Sequence, residues 1–456
     1  MRLCPPFFVE HRELNSRLML AACVCSLGGL IFGYDLGALS AANQSLRQHF
    51  GLSSASLGLT VSLSLWGTIC GALLAGRIVD RVGRRNVIGG CALFYALACG
   101  MLAQSLLTSW ILVLGLRFLT GITIGGFTVG CPLYLAELAP NALRGRFVSL
   151  FQFQVATGVA LGFGVGSLSA HLFSTHLFWR WCFGGGAVFS CSLLFLLRFM
   201  PEEPRWLAAK GEWQRAGANA ELLGLSYADW HPDDGKHDAP QSPATLAERL
   251  FSPKYARPIL LATSVALFNQ LSGANVLLFY LLDVLSSAGV DHLSSHTCTV
   301  VISCLNIGTT LLGMLYVDKV GRKPLLVWGA AGMSVCLFAL GLSIPHHFAS
   351  VWYLLLLIGY NTFFAFSQGT VIWVYLSELF PFAVRGAGQG YGTSVLWVAT
   401  AVLIGVFPIV QNGSSGRSFY FFATMMILQI AVVLLWYPET KGAGLGLTSN
   451  SKRDAE

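Results

Sequence analysis

The chain has 456 residues, of which 55% are hydrophobic and only 11% charged, and its formal net charge is +7. A soluble protein carries about 25% charged residues, so the composition excludes a chain that consists mainly of soluble domains. Most of the chain is therefore expected to lie in lipid.

Twelve long apolar runs, separated by polar segments, follow one another along the chain. Each is close to the roughly 20 residues that a helix needs to cross a bilayer. The predicted spans are 18–40, 57–79, 87–106, 110–134, 147–170, 179–200, 257–283, 297–317, 325–344, 350–377, 388–411 and 417–437. The expected fold class is an all-α membrane protein with twelve transmembrane helices, and no signal-peptide pattern precedes the first span.

Lysine and arginine fall almost entirely on one side of these spans. With the N-terminus inside, 24 of the 28 lie in inner segments, three in outer loops and one, Arg117, within a span. This asymmetry predicts that both termini are cytoplasmic. It also accounts for the positive net charge, so no nucleic-acid partner is expected.

Two charged residues lie deep inside the predicted spans, Asp35 in span 1 and Arg117 in span 4. An unpaired charge at this depth costs about 3 kcal/mol or more, so both side chains should face the protein interior. A salt bridge between them is the simplest solution. Because ionisable groups in membranes are functional by default, we expect a proton-coupling device. A purely structural pair, or another partner for Arg117, is the alternative.

Three charged motifs occur twice, in the same order and at offsets of 237 to 241 residues. They are VDRVGRR at 79–85 and VDKVGRK at 317–323, YLAELAPNALRGR at 134–146 and YLSELFPFAVRGA at 375–387, and PEEPRWLAAKG at 201–211 and, more loosely, PETKG at 438–442. A duplicated hydrophobic chain is typical of a secondary transporter with its substrate site between two halves.

The duplication divides the chain into four predicted parts. They are an N-terminal six-helix bundle at 1–200, a cytoplasmic linker at 201–256, a C-terminal six-helix bundle at 257–440 and a cytoplasmic tail at 441–456. Within the linker, 204–217 and 243–250 look helical, which favours a small domain that braces the halves over a plain connection. His231 and His237 stand beside aspartates, but their spacing matches no metal site, and a solvated loop is preferred.

The duplicated motifs put acids and arginines at the inner ends of spans 2, 4, 5, 8, 10 and 11. Topology alone explains the arginines but leaves the repeated acids unexplained. We therefore expect a cytoplasmic gate, in which ion pairs hold the inner side shut with a bias of a few kcal/mol. The candidates are Asp80, Arg84, Arg85, Glu137, Arg144, Asp318, Arg322, Glu378 and Arg385.

Amides and tryptophans interrupt several apolar spans, at Gln154, Asn269, Gln270, Asn275, Asn306, Trp373 and Trp397. A sugar needs amides that both donate and accept hydrogen bonds, and aromatic planes for its apolar ring face. A straight helix would not bring the three amides of span 7 together, so a break at Ser272 and Gly273 is expected. Singly, such residues are often helix-packing or interface positions. Their number favours a binding site over packing alone.

Together, the motifs resemble the sugar porter family of the major facilitator superfamily, closest to its bacterial sugar–proton symporters. The resemblance covers nearly the whole chain. It rests on GRIVDRVGRR, YLAELAP..LRGR, PEEPRWL, NQLSGANVLLFY at 269–280, VDKVGRKPL, W..SELFP..VRG and PETKG. It implies alternating access between two six-helix bundles, a hexose or pentose substrate and a monomeric chain.

The resemblance also implies roles for individual residues. The amides and tryptophans named above match sugar contacts of the family by position, and Phe279 and Tyr280 match an outer gate. Proton-coupled members carry Asp where facilitative members tend to carry Asn, so Asp35 implies coupling. Four positions depart from the family pattern, Asn269, Phe279, Thr370 and Leu396. Gln368 and Gln152 are candidates to replace the weakened contacts, and Thr370, where Pro is frequent, predicts a less sharp break in span 10.

The sequence therefore predicts a secondary active transporter of the cell membrane, the inner membrane in a bacterium, that imports a monosaccharide with a proton. A facilitative uniporter and a membrane sugar sensor are the alternatives, although the tail after Lys441 is short for a sensor. No nucleophile–base or metal-ligand pattern occurs. We therefore expect no enzymatic activity and no cofactor.

Overall fold

The computed structural model describes residues 15–104, 109–140, 143–172, 178–225, 250–279, 292–343, 350–381, 384–411 and 416–441. Every regular element within these ranges is helical, which confirms the predicted all-α class. Eleven helical segments of the described chain are long and apolar enough to cross a membrane. The remaining predicted span, the eleventh, is a helix of 27 residues.

Ten of the twelve spans are single helices. Spans 1 to 6 are Ser16–Phe50, Ser54–Val82, Arg84–Ala103, Trp110–Leu138, Arg144–Leu172 and Phe178–Leu197. Spans 8, 9, 11 and 12 are His292–Val320, Arg322–Ser343, Arg385–Gln411 and Arg417–Trp436. Spans 7 and 10 each consist of two helices, Ala256–Leu271 with Ala274–Phe279 and Ser350–Phe366 with Gln368–Leu379.

The helix pairings of the first half are repeated in the second. Span 1 packs on span 5, span 2 on span 4 and span 3 on span 6. Likewise, span 7 packs on span 11, span 8 on span 10 and span 9 on span 12. The halves contact each other through spans 2 and 11 and through spans 5 and 8. These two contacts are equivalent, because span 8 corresponds to span 2 and span 11 to span 5. The duplicated motifs therefore correspond to two six-helix bundles that face each other.

Glycine permits a close approach between spans 2 and 11, where the bundles meet. A Cβ atom on Gly76 of span 2 would lie 2.9 Å from the carbonyl oxygen of Gly386 and 3.0 Å from the Cα atom of Gly390, both in span 11. Real Cβ atoms are not found so close to backbone, so the two helices meet only because side chains are missing there.

Glutamates of the duplicated PEEP and PET motifs cap the N-termini of spans 3 and 9. Gly83 and Gly321 end spans 2 and 8 with φ angles of 97° and 102°. The next helix then starts with unpaired backbone N–H groups. Glu202 accepts a hydrogen bond from the N–H of Arg85 (3.2 Å), and Glu439 accepts one from the N–H of Arg322 (2.9 Å). The acids of PEEP and PET therefore fix the turns between spans 2 and 3 and between spans 8 and 9.

Two short helices, Pro204–Ala209 and Trp213–Leu223, follow span 6. The indole N–H of Trp206 donates to the carbonyl of Asp80 (2.9 Å), which fixes the first short helix to the end of span 2. These contacts brace the first half of the molecule. Part of the linker prediction lies outside the described residues, namely 243–249, His231 and His237.

Candidate functional site

A cavity of about 120 Å³ lies between the two halves. The first half contributes Phe32, Leu36 and Gln152 to its wall, together with three aliphatic residues of span 5. The second half supplies most of its polar and aromatic groups: Asn269, Gln270, Asn275, Ser303, Asn306, Asn361, Phe364, Trp373 and Trp397. The cavity wall therefore combines aliphatic and aromatic groups with amide and hydroxyl side chains, as in binding sites for small polar molecules.

Span 7 is broken where the sequence predicted it. The first helix ends at Leu271 and the second begins at Ala274. Gly273 has a φ angle of 85°, and a Cβ atom there would lie 2.8 Å from the ring of Phe422. The carbonyl of Ser272, freed by the break, accepts a hydrogen bond from the hydroxyl of Tyr360 (2.9 Å). Only glycine satisfies this backbone conformation and this packing.

The break brings three amides of span 7 into one hydrogen-bonded row. Asn275 Nδ2 donates to Gln270 Oε1 (2.8 Å), and Gln270 Nε2 donates to Asn269 Oδ1 (3.1 Å). Asn269 Nδ2 continues the row to the carbonyl oxygen of Gln368 (3.2 Å). Each amide group has further donor and acceptor capacity. The row therefore presents to the cavity the mixed groups that hydroxyls require.

Two tryptophans connect the halves beside these amides. Trp373 Nε1 donates to Gln152 Oε1 (2.7 Å), and the Trp373 ring packs edge-on against Phe151, with centroids 5.1 Å apart. The ring of Trp397 meets Phe32 in the same way at 5.4 Å. Trp397 Nε1 is buried and has no hydrogen-bond partner among the described residues. Both rings line the cavity, and one keeps an unused donor.

In span 5 the predicted sugar contact and the glutamine on the cavity wall are different residues. Gln154 was predicted as a sugar contact but does not line the cavity, whereas Gln152 does. The side chains of residues i and i+2 of an α-helix point in directions about 200° apart. Gln152 and Gln154 therefore face opposite sides of span 5, and Gln152 is the one that faces the cavity.

Two asparagines of the second half meet at the cavity wall. Asn306 lines the cavity and donates to Asn361 Oδ1 (3.1 Å). Asn361 was not singled out in the sequence, because one asparagine in an apolar run is typical of helix packing. Gln368, expected to compensate for weakened contacts, pairs instead with Gln429 of span 12.

Span 10 is broken at Ser367, three residues before Thr370. The hydroxyl of Thr370 donates a hydrogen bond to the carbonyl of Ala365 (2.8 Å), which lies just before this break.

The predicted outer gate consists of Phe279 and Tyr280. The structure describes the backbone of Phe279 at the end of its helix, and the side chain of Phe279 and the whole of Tyr280 lie outside the described residues. This gate remains a prediction.

Asp35 and Arg117 form the predicted salt bridge. Arg117 Nη1 donates to Asp35 Oδ1 (2.7 Å) and Nη2 donates to Oδ2 (3.0 Å), and both side chains are buried. The Tyr95 hydroxyl donates to Asp35 Oδ1 (3.1 Å). Phe32 and Leu36, which flank Asp35 on span 1, line the cavity. A change in the charge of this pair therefore acts on a helix that forms part of the cavity wall.

Ion pairs join the halves at the end that carries the duplicated motifs, here called the charged end. Glu137 of the first half accepts from Arg84 Nε (2.7 Å) and from Arg385 Nη1 of the second half (3.3 Å). Asp318 of the second half accepts from the backbone N–H groups of Gly145 (3.0 Å) and Arg146 (2.8 Å). The charged end is therefore closed in this conformation.

The remaining gate candidates act mostly within one half. Arg322 Nη2 binds Glu378 Oε1 (2.7 Å) inside the second half, and Arg144 and Glu378 interact electrostatically across the halves. Arg85 does not reach the second half in the contacts described, because its Nε donates to the carbonyl of Leu197 (3.0 Å) at the end of span 6. Arg85 thus fixes spans 3 and 6 to each other.

A second acid, Glu203, is buried beside this network. Its carboxylate accepts from the backbone N–H groups of Arg205 (2.9 Å) and Trp206. Burial, with repulsion by Glu137, raises the pKa of Glu203 from 4.5 to about 8. Its contribution to the stability of the packed arrangement is therefore complete below pH 4.5 and is lost as the pH rises to about 8.

Comparisons with known proteins agree with this geometry. A sequence model of the family described as sugar (and other) transporter matches residues 21–450. The chain is 36% identical over 437 residues to the putative metabolite transport protein YwtG of Bacillus subtilis, and the match covers 94% of each chain.

Among solved structures, the chain is similar to the major facilitator superfamily proton:xylose symporter XylE bound to 6-bromo-6-deoxy-D-glucose. The TM-score is 0.86 at 28% identity, over 95% of this chain and 98% of that one. For the inward-open conformation of XylE from E. coli, the TM-score is 0.73 at 30% identity, over 94% and 98% of the two chains. The present conformation is therefore more similar to the sugar-bound structure than to the inward-open one.

Proposed function

The chain belongs to the sugar transporter family of the major facilitator superfamily, and we propose that it imports a monosaccharide together with a proton by alternating access. The observation that carries this proposal is the buried pair of Asp35 and Arg117 beside a central cavity lined by amides and tryptophans. A hexose or pentose has the hydroxyl groups and the apolar ring face that this wall fits.

In this proposal the charged end faces the cytoplasm, where lysine and arginine are concentrated. Both termini are then cytoplasmic, and the protein works as a monomer in the cell membrane. The closed charged end and the central cavity correspond to a state that receives sugar from outside. Ion pairs such as that of Glu137 with Arg385 hold this state until the substrates are bound.

Sugar recognition is assigned to residues of both halves. The row Asn269, Gln270 and Asn275 donates to and accepts from the hydroxyls, and Gln152 contributes from the first half. The remaining polar and aromatic positions are Asn306, Asn361, Trp373 and Trp397. Because the cavity wall is shared between the halves, bound sugar stabilises their closure around it.

Coupling is assigned to Asp35. As a carboxylate it accepts two hydrogen bonds from Arg117 and one from Tyr95, which holds span 1 against spans 3 and 4. A proton on Asp35 cancels the charge that Arg117 pairs with and weakens this attachment. Span 1 can then move with Phe32 and Leu36, which form part of the cavity wall. Binding of the proton and of the sugar thereby favours the same rearrangement.

The function is tested with purified protein in liposomes and a panel of radiolabelled D-xylose, D-glucose, L-arabinose and D-galactose. Uptake of at least one sugar, in competition with the unlabelled compound, is expected. Absence of uptake and of sugar exchange for every monosaccharide, with correctly inserted protein, would exclude sugar transport.

The gate is tested by Glu137→Gln. This change removes the charge that pairs with Arg84 and Arg385, and breaking a buried ion pair from one side costs about 3–5 kcal/mol. The charged end should open more often. A reporter Ser149→Cys, buried between the cavity and this end, should then react several-fold faster with an impermeant thiol reagent added at the charged side. Native cysteines are accounted for with the same protein lacking the reporter.

Glu212→Gln is the matched control for the gate experiment, because Glu212 forms a largely exposed ion pair with Arg215 at the N-cap of the short helix Trp213–Leu223 and makes no ion pair with the gate residues among the described contacts. It should leave the reporter's rate unchanged. Equal labelling rates in Glu137→Gln and in this control would show that Glu137 does not hold the charged end shut.

Tyr95 is tested by Tyr95→Phe. The change removes one of three hydrogen bonds to the Asp35 carboxylate, worth about 1.5–3 kcal/mol for a bond to a charged group. Protonation of Asp35 then becomes easier, so the pH profile of sugar uptake should move to higher pH. Sugar affinity in exchange assays should stay within twofold, roughly, because Tyr95 does not line the cavity. An unchanged pH profile would limit Tyr95 to packing.

A further inference from the structure

Three polar side chains between the cavity and the charged end are fully buried and lack hydrogen bonds. Within the part of the chain that the structure describes, Ser149 Oγ, Thr393 Oγ1 and both polar atoms of the Gln389 amide have no partner. Each of the three residues has 0% of its surface exposed. Buried polar groups nearly always have a hydrogen-bond partner, so three unpaired polar side chains between the cavity and the charged end require an explanation.

Gln389 and Thr393 form a stripe with Trp397 along span 11. The spacing of four residues puts all three on one side of the helix, about 6 Å apart along its axis. Trp397 lines the cavity, and its indole N–H is also without a partner among the described residues. At the other end, Gln389 is four residues from Arg385, which pairs with Glu137. The stripe thus leads from the cavity to the gate.

The stripe faces the interior of the molecule. Val398 has 44% of its surface exposed and therefore marks the lipid side of span 11. Gln389 is nine residues from Val398, which is a rotation of about 180°, so its side chain points away from lipid. On the first half, Ser149 lies between Gln152 of the cavity and Arg144 at the start of span 5. Each half thus places an orphan polar group on the route from cavity to gate.

We propose that Gln389 and Thr393, with Ser149 from the first half, form a second monosaccharide-binding site on the release path, which the sugar occupies once the charged end has opened. The inference rests on the proposed sugar transport. An amide and two hydroxyls offer donors and acceptors to sugar hydroxyls. In the closed conformation these groups are buried without a hydrogen-bond partner among the described residues, and their helices, spans 11 and 5, pack on spans 2 and 8 of the opposite half. Separation of the halves exposes them to a sugar leaving the cavity.

The proposal predicts an effect on one side of the membrane only. Gln389→Leu and Thr393→Val keep the approximate shape but remove the hydrogen-bonding groups. Sugar uptake by vesicles of known orientation gives the half-saturation concentration from each side, with D-xylose or D-glucose as the probe, whichever the unmodified protein transports. From the charged side, each variant should raise this value about threefold to tenfold. From the opposite side the value should stay unchanged.

Two further variants serve as controls. Ser394→Ala removes a neighbouring hydroxyl that is already bonded to the carbonyl of Gly390 (2.7 Å), so it should leave both sides unchanged. Gln389→Asn keeps an amide and should resemble the unmodified protein more than Gln389→Leu does. If Gln389→Leu fails to insert, Thr393→Val alone decides the question.

Two results would overturn the proposal. Unchanged values from both sides would show that the stripe does not contact sugar. A higher half-saturation concentration from one side, with a similar decrease from the other side, would show that the residues only bias the conformational equilibrium. Either result leaves sugar transport itself intact. A protein that takes up no sugar before any substitution would instead contradict the proposed function.

Discussion

Asp35→Asn is expected to abolish accumulation of sugar against a gradient while leaving sugar exchange in place. Asn keeps an oxygen that Arg117 can bind but can neither carry the negative charge nor take up the proton. With one proton per sugar, a difference of one pH unit can drive about tenfold accumulation. In liposomes with this imposed gradient, the variant should reach only equal concentrations inside and outside.

The control for this substitution is Glu212→Gln, which neutralises a partly exposed acid at the N-cap of the short helix Trp213–Leu223. It should accumulate sugar like the unmodified protein. Exchange of labelled for unlabelled sugar by Asp35→Asn shows that the variant is folded and binds substrate. If the variant still accumulates sugar tenfold, roughly, Asp35 is not the coupling group.

Gln270→Ala is expected to weaken sugar binding strongly. Gln270 is the middle member of the amide row, where it donates to Asn269 and accepts from Asn275. Its removal takes away its own bonds to sugar and leaves Asn269 Oδ1 and Asn275 Nδ2 without their partner in the row. The loss should be about 1–3 kcal/mol, which corresponds to roughly 5-fold to 150-fold in affinity. Inhibition of exchange by unlabelled sugar measures it.

Gln154→Ala is the matched control, because Gln154 is a partly buried glutamine of a spanning helix that does not line the cavity. It should bind sugar like the unmodified protein, whereas Gln152→Ala should be impaired. A strong effect of Gln154→Ala, together with none of Gln270→Ala, would move the sugar site away from the cavity described above.

Much of the architecture could be predicted because it rests on chemistry that is local in the sequence. The length of the apolar runs determines the spans, and the duplicated motifs determine the pairing of the halves. The salt bridge between Asp35 and Arg117 follows from the cost of an unpaired charge in lipid. The break in span 7 follows from three amides that a straight helix could not bring together, and Gly273 provides it.

The rotation of each helix could not be predicted. In a membrane protein the lipid-facing and the core-facing sides are both apolar, so periodicity does not reveal which residues face the cavity. For this reason the sequence does not show that Gln152, rather than Gln154, lines the cavity, and it does not single out Asn361. Contacts between distant segments, such as Glu137 with Arg385 or Gln368 with Gln429, depend on how the bundles meet. The orphan groups at Gln389 and Thr393 became visible only with burial and hydrogen bonding known.

Sugar-driven proton movement is the direct measure of coupling between sugar and proton. Protein is reconstituted into liposomes that contain a pH-sensitive dye, with equal pH on both sides, and the transported sugar is added outside. If sugar and proton enter together, the lumen should become acidic as sugar enters, Asp35→Asn should remove this signal, and a protonophore should dissipate it. Entry of sugar with no change in internal pH would contradict proton coupling and identify a uniporter.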